Sequence, residues 1–268
     1  MDYLVSGKKR NGKSLVCVGR IRAALRKGKR VATNLDLFPH ELLPLSNKSA
    51  RIVRLPDYPS AEDLWALGEG CDNPAVEVDN GVLVLDEMAI LFNSRTFNDK
   101  GRKGVLDWLA QSGKLGWDTY LICQHPNQID KQIREALCEY HVICRRLDRL
   151  KIPLLPFKMP RLHVGFVKFG MDQNSVMAEK WIYRGSSLFK GYNTIQKFSA
   201  DYPHGSYSVL PPWHSHGRYQ PASMPLLDRL FKPAPRKPVP KPKRPEVEAV
   251  MALPADARIR ALSGLQFA

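Results

Sequence analysis

Long hydrophobic runs are missing from this sequence: none of its 268 residues belong to a stretch of about twenty consecutive apolar residues. Because a helix needs about that length to cross a bilayer, we predict no transmembrane helix. An apolar strand begins at Tyr3, so we also expect no signal peptide ahead of it. Cysteine is scarce, with five scattered residues. An odd, scattered set is typical of reduced core thiols in a cytosolic protein, not of a disulfide scaffold.

Acidic side chains are too few to balance the basic ones. The 26 Asp and Glu residues stand against 41 Lys and Arg residues, which gives a formal net charge of +15. This excess indicates a polyanionic partner, either nucleic acid or acidic lipid headgroups. The alternative is that the charge only keeps the protein soluble.

One segment, Gly7 to Ser14, stands between an apolar strand and a helical pattern. Its spacing matches G-x-x-x-x-G-K-S/T, a loop whose backbone N–H groups and helix N-terminus bind phosphate. In such a loop the lysine, here Lys13, reaches the outer phosphates, and the hydroxyl, here Ser14, ligates Mg²⁺. We therefore predict binding of a nucleoside triphosphate, ATP, with Mg²⁺. The candidate nucleotide-binding residues are Gly7, Lys8, Lys9, Arg10, Asn11, Gly12, Lys13, Ser14 and Leu15.

The apolar run Val82 to Leu85 ends in two adjacent carboxylates, Asp86 and Glu87. Such a strand end is commonplace by itself, but some seventy residues after a phosphate loop it is expected to enter the nucleotide site. Asp86 is then a candidate to hold Mg²⁺ together with Ser14. Glu87 is a candidate to align or deprotonate the attacking water, which favours hydrolysis over phosphoryl transfer to a small acceptor.

Polar residues at the ends of other predicted strands are further candidates. Gln124 either lies beside the γ-phosphate or simply ends its strand. Arg145 and Arg146 are candidates to reach the phosphates of a neighbouring subunit in a homo-oligomer, although each could be a surface charge. Asn34 either reaches the Mg²⁺ region or only forms a turn, and Lys8 is expected to face solvent or DNA.

Strand and helix patterns alternate through the first 150 residues. Strands are expected near 3–6, 30–34, 51–55, 82–85, 119–123 and 141–144, and helices near 13–28, from Ser60, and near 102–114 and 128–139. We predict an α/β fold: a P-loop NTPase with a mainly parallel, doubly wound sheet, a small β-rich extension and a disordered basic tail. The predicted boundaries are 1–150 for the core, 151–219 for the extension, and 220–268 for the Pro/Lys-rich tail with a weak terminal helix.

Further collinear motifs run through residue 219. They are Ala32–Leu37, Asn80–Glu87, Lys114–Asp118, Cys144–Arg149, Leu162–Gly165 and Ser215–Tyr219. With the phosphate loop, these motifs make the chain similar to the gene I assembly proteins of filamentous bacteriophages, which are relatives of the N-terminal domain of zonula occludens toxin. The resemblance covers about residues 1–219.

The resemblance implies an ATP-hydrolysing motor for phage assembly and extrusion at the host inner membrane. The implied partners are phage coat proteins, the phage secretin, and phage single-stranded DNA with its binding protein. By position, Lys13 and Ser14 would bind ATP and Mg²⁺, and Asp86 and Glu87 would coordinate and catalyse. The expected location is the host cytoplasm, at the cytoplasmic face of the inner membrane.

One departure concerns the membrane. The family carries a membrane-spanning helix after the basic stretch that follows its His-Gly-Arg-Tyr motif, whereas Pro/Lys-rich sequence stands there in this chain. The chain is therefore either truncated or reaches the membrane otherwise, for example through its basic tail on anionic lipids. That tail could instead bind DNA. The alternative function is a non-hydrolysing, ATP-binding platform that recruits coat protein and secretin.

Overall fold

The computed structural model describes residues 1–89, 100–129, 134, 135, 137–147, 162–171, 175–184, 187–199 and 201–219. The predicted tail and terminal helix over 220–268 lie outside these residues, as do the last residues of the predicted core and the start of the predicted extension, 148–161. Part of the helix predicted near 128–139 lies outside them too. Within the described ranges, no helix is long and apolar enough to cross a membrane.

The described elements form a sheet flanked by helices. The strands are β1 (Asp2–Ser6), β2 (Arg30–Thr33), β3 (Arg51–Arg54), β4 (Gly81–Leu85), β5 (Trp117–Ile122), β6 (Tyr140–Arg146), β7 (Leu162–Phe169), β8 (Met177–Arg184) and β9 (Tyr207–Val209). The helices are α1 (Lys13–Arg26), α2 (Pro39–Leu42), α3 (Ala61–Trp65), α4 (Lys100–Gln111) and α5 (Pro212–Ser215).

The sheet has the order β8-β7-β6-β1-β5-β4-β2-β3-β9. All neighbouring pairs from β6 to β3 are parallel. The β7–β8 hairpin continues the sheet antiparallel at one edge, and β9 adds an antiparallel strand at the other. The predicted α/β fold with a mainly parallel sheet is therefore confirmed, while β9 was not anticipated.

Helices cover both faces of the sheet. Side chains alternate along a strand, so Tyr3 and Val5 of β1 pack with α1, whereas Leu4 between them packs on the opposite face with Trp108 of α4. Every residue of β4 is buried, which matches its uninterrupted apolar run. A doubly wound arrangement leaves the carboxyl ends of the parallel strands as the place for a ligand.

The β7–β8 hairpin packs closely on α1. A Cβ at Gly19 of α1 would lie 2.2 Å from a ring carbon of Tyr183, so only glycine allows this approach. The guanidinium of Arg20 stands 4.6 Å from the centre of the Trp181 ring, a cation–π contact. This packing brings β7, and with it His163, to the N-terminal end of α1.

Candidate nucleotide site

The phosphate loop links β1 to α1 through two glycines that no other residue could replace without displacement. Gly12 caps α1 with φ 85°, in the left-handed region, and a Cβ there would lie 2.2 Å from the His163 ring. A Cβ at Gly7 would lie 2.8 Å from the carbonyl oxygen of Cys144. The first N–H groups of α1 have no partner within the helix and carry its positive end, so this turn suits an anion.

The two polar side chains that follow Gly12 face the inside of the site. Lys13 Nζ donates to the carbonyl oxygen of Gly7 at 2.9 Å, which holds the ammonium group over the loop. Ser14 Oγ donates to Asp86 Oδ2 at 2.5 Å. The end of β4 therefore meets the start of α1, although the two residues are 72 positions apart in the chain.

Asp86 is buried and rigidly placed. Its Oδ1 accepts the backbone N–H of Glu87 at 2.7 Å. Asn34 at the end of β2 accepts the Asp86 N–H at 2.8 Å and donates to its carbonyl oxygen at 3.0 Å. The side chain of Asn34 thus contacts the backbone of Asp86, the predicted Mg²⁺ ligand. Asn34 therefore does more than form a turn. Burial raises the pKa of the Asp86 carboxyl, and the hydrogen bond from Ser14 opposes that shift.

Glu87 adopts an unusual backbone conformation. Its φ is 55°, in the left-handed region that long side chains rarely occupy. The next residue, Met88, donates its N–H to Ile122 of β5 at 3.1 Å, so the chain is held on both sides of this residue. Such strain persists where the surrounding structure imposes it, and it is concentrated at functional sites.

These residues line one cleft of about 410 Å³. The loop side contributes Arg10, Gly12, Lys13, Ser14 and Leu15, and the end of β4 contributes Asp86 and Glu87. A serine hydroxyl beside a carboxylate is a hard oxygen donor set, and Mg²⁺ usually combines one or two such ligands with phosphate oxygens and water. The donor set therefore fits Mg²⁺ bound together with a nucleotide.

The opposite wall of the cleft was not predicted from the sequence. It consists of Phe189, Tyr192, Asn193, Thr194, Gln196 and Phe198, joined by Leu35 and His163. His163 is 2% exposed, and its ring centre lies 5.9 Å from that of Phe189 at a steep angle. The segment from 187 to 199 carries no motif, so only its position in the fold identifies it as part of the site.

Side-chain hydrogen bonds attach this wall to the strand ends. Gln196 donates to the carbonyl oxygen of Asn34 and accepts the N–H of Asp36, both at 2.8 Å. The N–H of Asn193 reaches the carbonyl oxygen of Asp36 at 2.9 Å, and that of Ser199 reaches Asp57 Oδ2 at 3.0 Å. The wall is therefore bound to the same loops that position Asp86.

A buried ion pair lies beneath these contacts. Arg54 at the end of β3 is 2% exposed. Its Nη2 lies 2.8 Å from Asp57 Oδ1 and its Nε lies 2.9 Å from Asp36 Oδ1, while Nη1 donates to the carbonyl oxygen of Leu55. The two carboxylates that bind the far wall are thus held in place by one cation.

The remaining predicted residues border a neighbouring cavity. Gly7, Lys8, Asn11, Gln124 and Arg145 line that cavity and are not among the residues of the nucleotide cleft. Gln124 meets the loop through its backbone, because its carbonyl oxygen accepts the Gly7 N–H at 3.3 Å. Two further predicted residues differ from this group: Arg146 lines both cavities, and exposed Lys9 lines neither.

All five cysteines are buried thiols. Burial raises the pKa of Cys123, Cys138 and Cys144 to about 12, which keeps them protonated and weakly nucleophilic near neutral pH. Among the residues that the structure describes, no group of three or more His, Cys, Asp or Glu side chains is arranged to hold a metal ion.

Comparison with known proteins identifies the family. The family model described as Zonular occludens toxin (Zot) matches residues 1–176. The Gene 1 protein of Enterobacteria phage fd is 44% identical over 229 residues, covering 81% of this chain and 66% of that protein. The Gene 1 protein of Salmonella phage IKe is 41% identical over 228 residues, covering 80% and 62%. The chain thus spans just under two thirds of the length of these relatives.

A solved structure shares the description of the family. The N-terminal domain of zonular occludens toxin from Neisseria meningitidis aligns with 72% of this chain and 98% of that domain, with 16% identity and a TM-score of 0.42. The identification rests on the family match and on the phage relatives. By these findings, which confirm the resemblance of its motifs, the chain belongs to the Zonular occludens toxin (Zot) family.

Proposed function

We propose that this chain is an ATP-hydrolysing motor for the assembly and extrusion of filamentous phage at the host inner membrane. The observation that carries the proposal is the shared cleft, in which Lys13, Ser14, Asp86 and Glu87 meet at the ends of β1 and β4. The filamentous phages that encode the similar Gene 1 proteins support the biological setting.

The loop side of the cleft would bind the triphosphate. Backbone N–H groups between Gly7 and Ser14 and the positive end of α1 would surround the phosphates. Lys13 would exchange its bond with the Gly7 carbonyl oxygen for one with an outer phosphate oxygen. Ser14 and Asp86 would hold Mg²⁺, which when bound neutralises charge on the phosphate oxygens.

Glu87 would act on water. Its half-buried carboxylate lines the cleft one residue after Asp86, within the same rigid turn. From there it would orient a water molecule toward the outer phosphate and accept its proton. Arg146 also lines the cleft and would neutralise charge that develops on the phosphates, whereas exposed Arg145 would serve a neighbouring subunit of a homo-oligomer. Gln124 would sense the loop through its bond with Gly7.

The partners belong to the same proposal. They are phage coat proteins, phage single-stranded DNA with its binding protein, the phage secretin, and the anionic lipids of the host inner membrane. The net charge of +15 supports binding to polyanions. The motor would work at the cytoplasmic face of that membrane.

The decisive variant is Glu87→Gln, which keeps the size of the side chain but removes its ability to accept a proton. ATP turnover should fall by about 10²–10⁴-fold, while ATP binding persists. The matched control is Glu41→Gln, because Glu41 is exposed on α2 and does not line the cleft. Phage release should stop with the first variant and continue with the second.

Two outcomes would contradict this proposal. Unchanged ATP turnover in the Glu87→Gln protein would remove the proposed role of Glu87. Normal phage release without turnover would favour the alternative, a platform that binds ATP without hydrolysing it and recruits coat protein and secretin. Lys13→Ala should remove both binding and release, whereas Lys9→Ala in the same loop should leave both intact.

A further inference from the structure

A second cavity shares the phosphate loop with the nucleotide cleft. Its volume of about 780 Å³ is nearly twice that of the cleft, about 410 Å³. It opens where β1, β5 and β6 end, and it lies outside the cleft in which Lys13, Ser14, Asp86 and Glu87 meet. Its lining includes Ser6, Gly7 and Lys8 from the loop side and Gln124 to Asn127 from the end of β5.

The described charged residues that line this cavity are all basic. Lys8, Arg134, Arg145 and Arg146 line it, and no Asp or Glu does so among the described residues. Within the part of the chain that the structure describes, Lys8, Arg134 and Arg145 form no ion pair. Asn127 Oδ1 accepts a hydrogen bond from Arg134 Nη1 at 3.0 Å, which orients this guanidinium. Among the described residues, no acidic side chain competes with an outside anion for Lys8, Arg134 and Arg145.

A neutral polar pair also lines the cavity. His141 Nε2 lies 2.7 Å from Ser6 Oγ. Burial and then the nearby charges of Lys168, Arg134 and His125 lower the pKa of His141 to about 4, so its ring is neutral at physiological pH. A neutral His141 adds hydrogen-bonding capacity to the cavity without adding charge.

We propose that this cavity binds the phosphodiester backbone of single-stranded DNA, with Lys8, Arg134 and Arg145 contacting the phosphates. The identity of this polyanion rests on the proposed function, whereas the site rests on the charges and shape of the cavity. Phosphate contacts from Lys and Arg supply most of the affinity in sequence-independent binding.

The shape favours a single strand over the other polyanions. A DNA duplex is stiff over about 150 base pairs and cannot turn its phosphates into a recessed cavity. A lipid surface is broad, and its recognition depends on apolar insertion as well as charge. A single strand is flexible, so successive phosphates can enter the cavity and lie between the basic side chains.

Hydrogen bonds connect this cavity to the nucleotide cleft. Gly7 lines the cavity, donates its N–H to the Gln124 carbonyl oxygen at 3.3 Å, and accepts Lys13 Nζ at 2.9 Å. When Lys13 moves to a phosphate, the Gly7 carbonyl loses its partner. We therefore expect DNA and nucleotide to change each other's affinity by the same factor, as linkage requires.

The test measures binding of the full chain to a fluorescent oligothymidylate of about 16 nucleotides by anisotropy, over a series of salt concentrations. The double variant Arg134→Ala/Arg145→Ala should weaken Kd about tenfold, and the slope of log K against log salt should fall in magnitude by about 1.4, since each lost phosphate contact contributes about 0.7. The charge-matched control is Arg26→Ala/Arg51→Ala, whose two exposed arginines line neither cavity.

Equal losses in both double variants, or an unchanged salt slope in the first, would overturn the site. The variant Arg134→Lys/Arg145→Lys should retain most of the binding, which separates lost charge from misfolding. DNA would be overturned as the occupant if Arg134→Ala/Arg145→Ala weakened binding to phosphatidylglycerol vesicles but not to the oligonucleotide. It would also be overturned as a single strand if the same variant weakened binding to a duplex of the same length equally.

The same protein preparations separate this proposal from the motor. ATP turnover is measured without DNA. If the wild-type protein hydrolyses no ATP but its DNA binding requires Arg134 and Arg145, the motor fails and the cavity stands. If turnover is present and both double variants bind DNA like the wild type, only the cavity proposal fails.

Discussion

The two walls of the nucleotide cleft are built in opposite ways. The loop wall comes from two short segments, Arg10 with Gly12–Leu15 and Asp86–Glu87, and within each segment the functional groups belong to neighbouring residues. The far wall comes from 187–199, which has no recognisable motif and is attached by Gln196, Asn193 and Ser199 to strand ends. Residues that are close together in the sequence supply the proposed reacting groups. Contacts between residues far apart in the sequence enclose those groups.

The walls also differ in what holds them. The loop wall depends on backbone geometry, because glycine at position 12 adopts φ 85° and admits the His163 ring. The far wall depends on buried polar side chains, above all on Arg54 between Asp36 and Asp57. Substitutions can therefore damage one wall and spare the other.

The largest effect is expected beneath the far wall. Arg54→Met leaves the buried carboxylate of Asp57 without its cation, which should lower the free energy of unfolding by about 3–5 kcal/mol. Urea denaturation measures the loss. Arg51→Met, at the exposed start of the same strand, is the control and should change stability by less than about 0.5 kcal/mol. Equal effects would mean that the ion pair does not hold this wall.

The next effect is expected in the loop wall. Gly12→Ala imposes both a left-handed conformation and a contact with His163, so it should cost about 2–3 kcal/mol of stability and abolish nucleotide binding. Gly28→Ala is the matched control, because Gly28 has φ 77° but nothing within 4 Å of a built Cβ. It should show only the backbone cost of about 1–2 kcal/mol.

The difference between these two glycine variants isolates the contact with His163. Adding His163→Ala to Gly12→Ala should recover part of the difference in thermal unfolding. If Gly12→Ala is no more destabilising than Gly28→Ala, the close approach of His163 on β7 does not restrict the residue at position 12. The loop wall would then not depend on this packing.

A smaller effect is expected from Gln196→Ala. It removes two hydrogen bonds between the far wall and the strand ends, at about 1 kcal/mol each. Nucleotide affinity should fall several-fold because the wall encloses the ligand, and isothermal titration measures the change. Lys197→Ala, which alters an exposed neighbour, should leave affinity unchanged. Intact affinity in the first variant would separate the far wall from nucleotide binding.

The final prediction concerns pH. Burial raises the folded-state pKa of Asp86 above its usual value, so the ionised carboxyl destabilises the folded protein at neutral pH. Asp86→Asn should therefore unfold at higher urea than the wild type at pH 7, while losing the ATP turnover proposed for this chain. This advantage should shrink as pH falls through the raised pKa and vanish below 3.8, the ordinary aspartate value. The control for the loss of one carboxylate at pH 7 is Asp79→Asn, because Asp79 is exposed and lines neither the nucleotide cleft nor the second cavity.

Much of the core was predictable because its signals are local. The positions of α1 and β4 followed from the apolar pattern to within two residues at each end, and the start of α3 followed from Ser60, which forms a capping box with Asp63. The strand β9 was missed because three residues with no apolar alternation resemble any loop. Periodicity could not place Gln124 and Arg145 in the neighbouring cavity, because strand order decides that placement and is not visible in periodicity.

The sequence by itself determined the phosphate loop, the acidic end of β4 and the alternation of strands and helices, because each depends on residues within a few positions of one another. Only the tertiary structure decided that Asn34 forms a hydrogen bond with the backbone of Asp86, that 187–199 lines the far wall of the cleft, and that a second, basic cavity borders the same loop. Those features join residues far apart in the chain through side-chain hydrogen bonds and close packing, and such contacts leave no periodic trace in a single sequence.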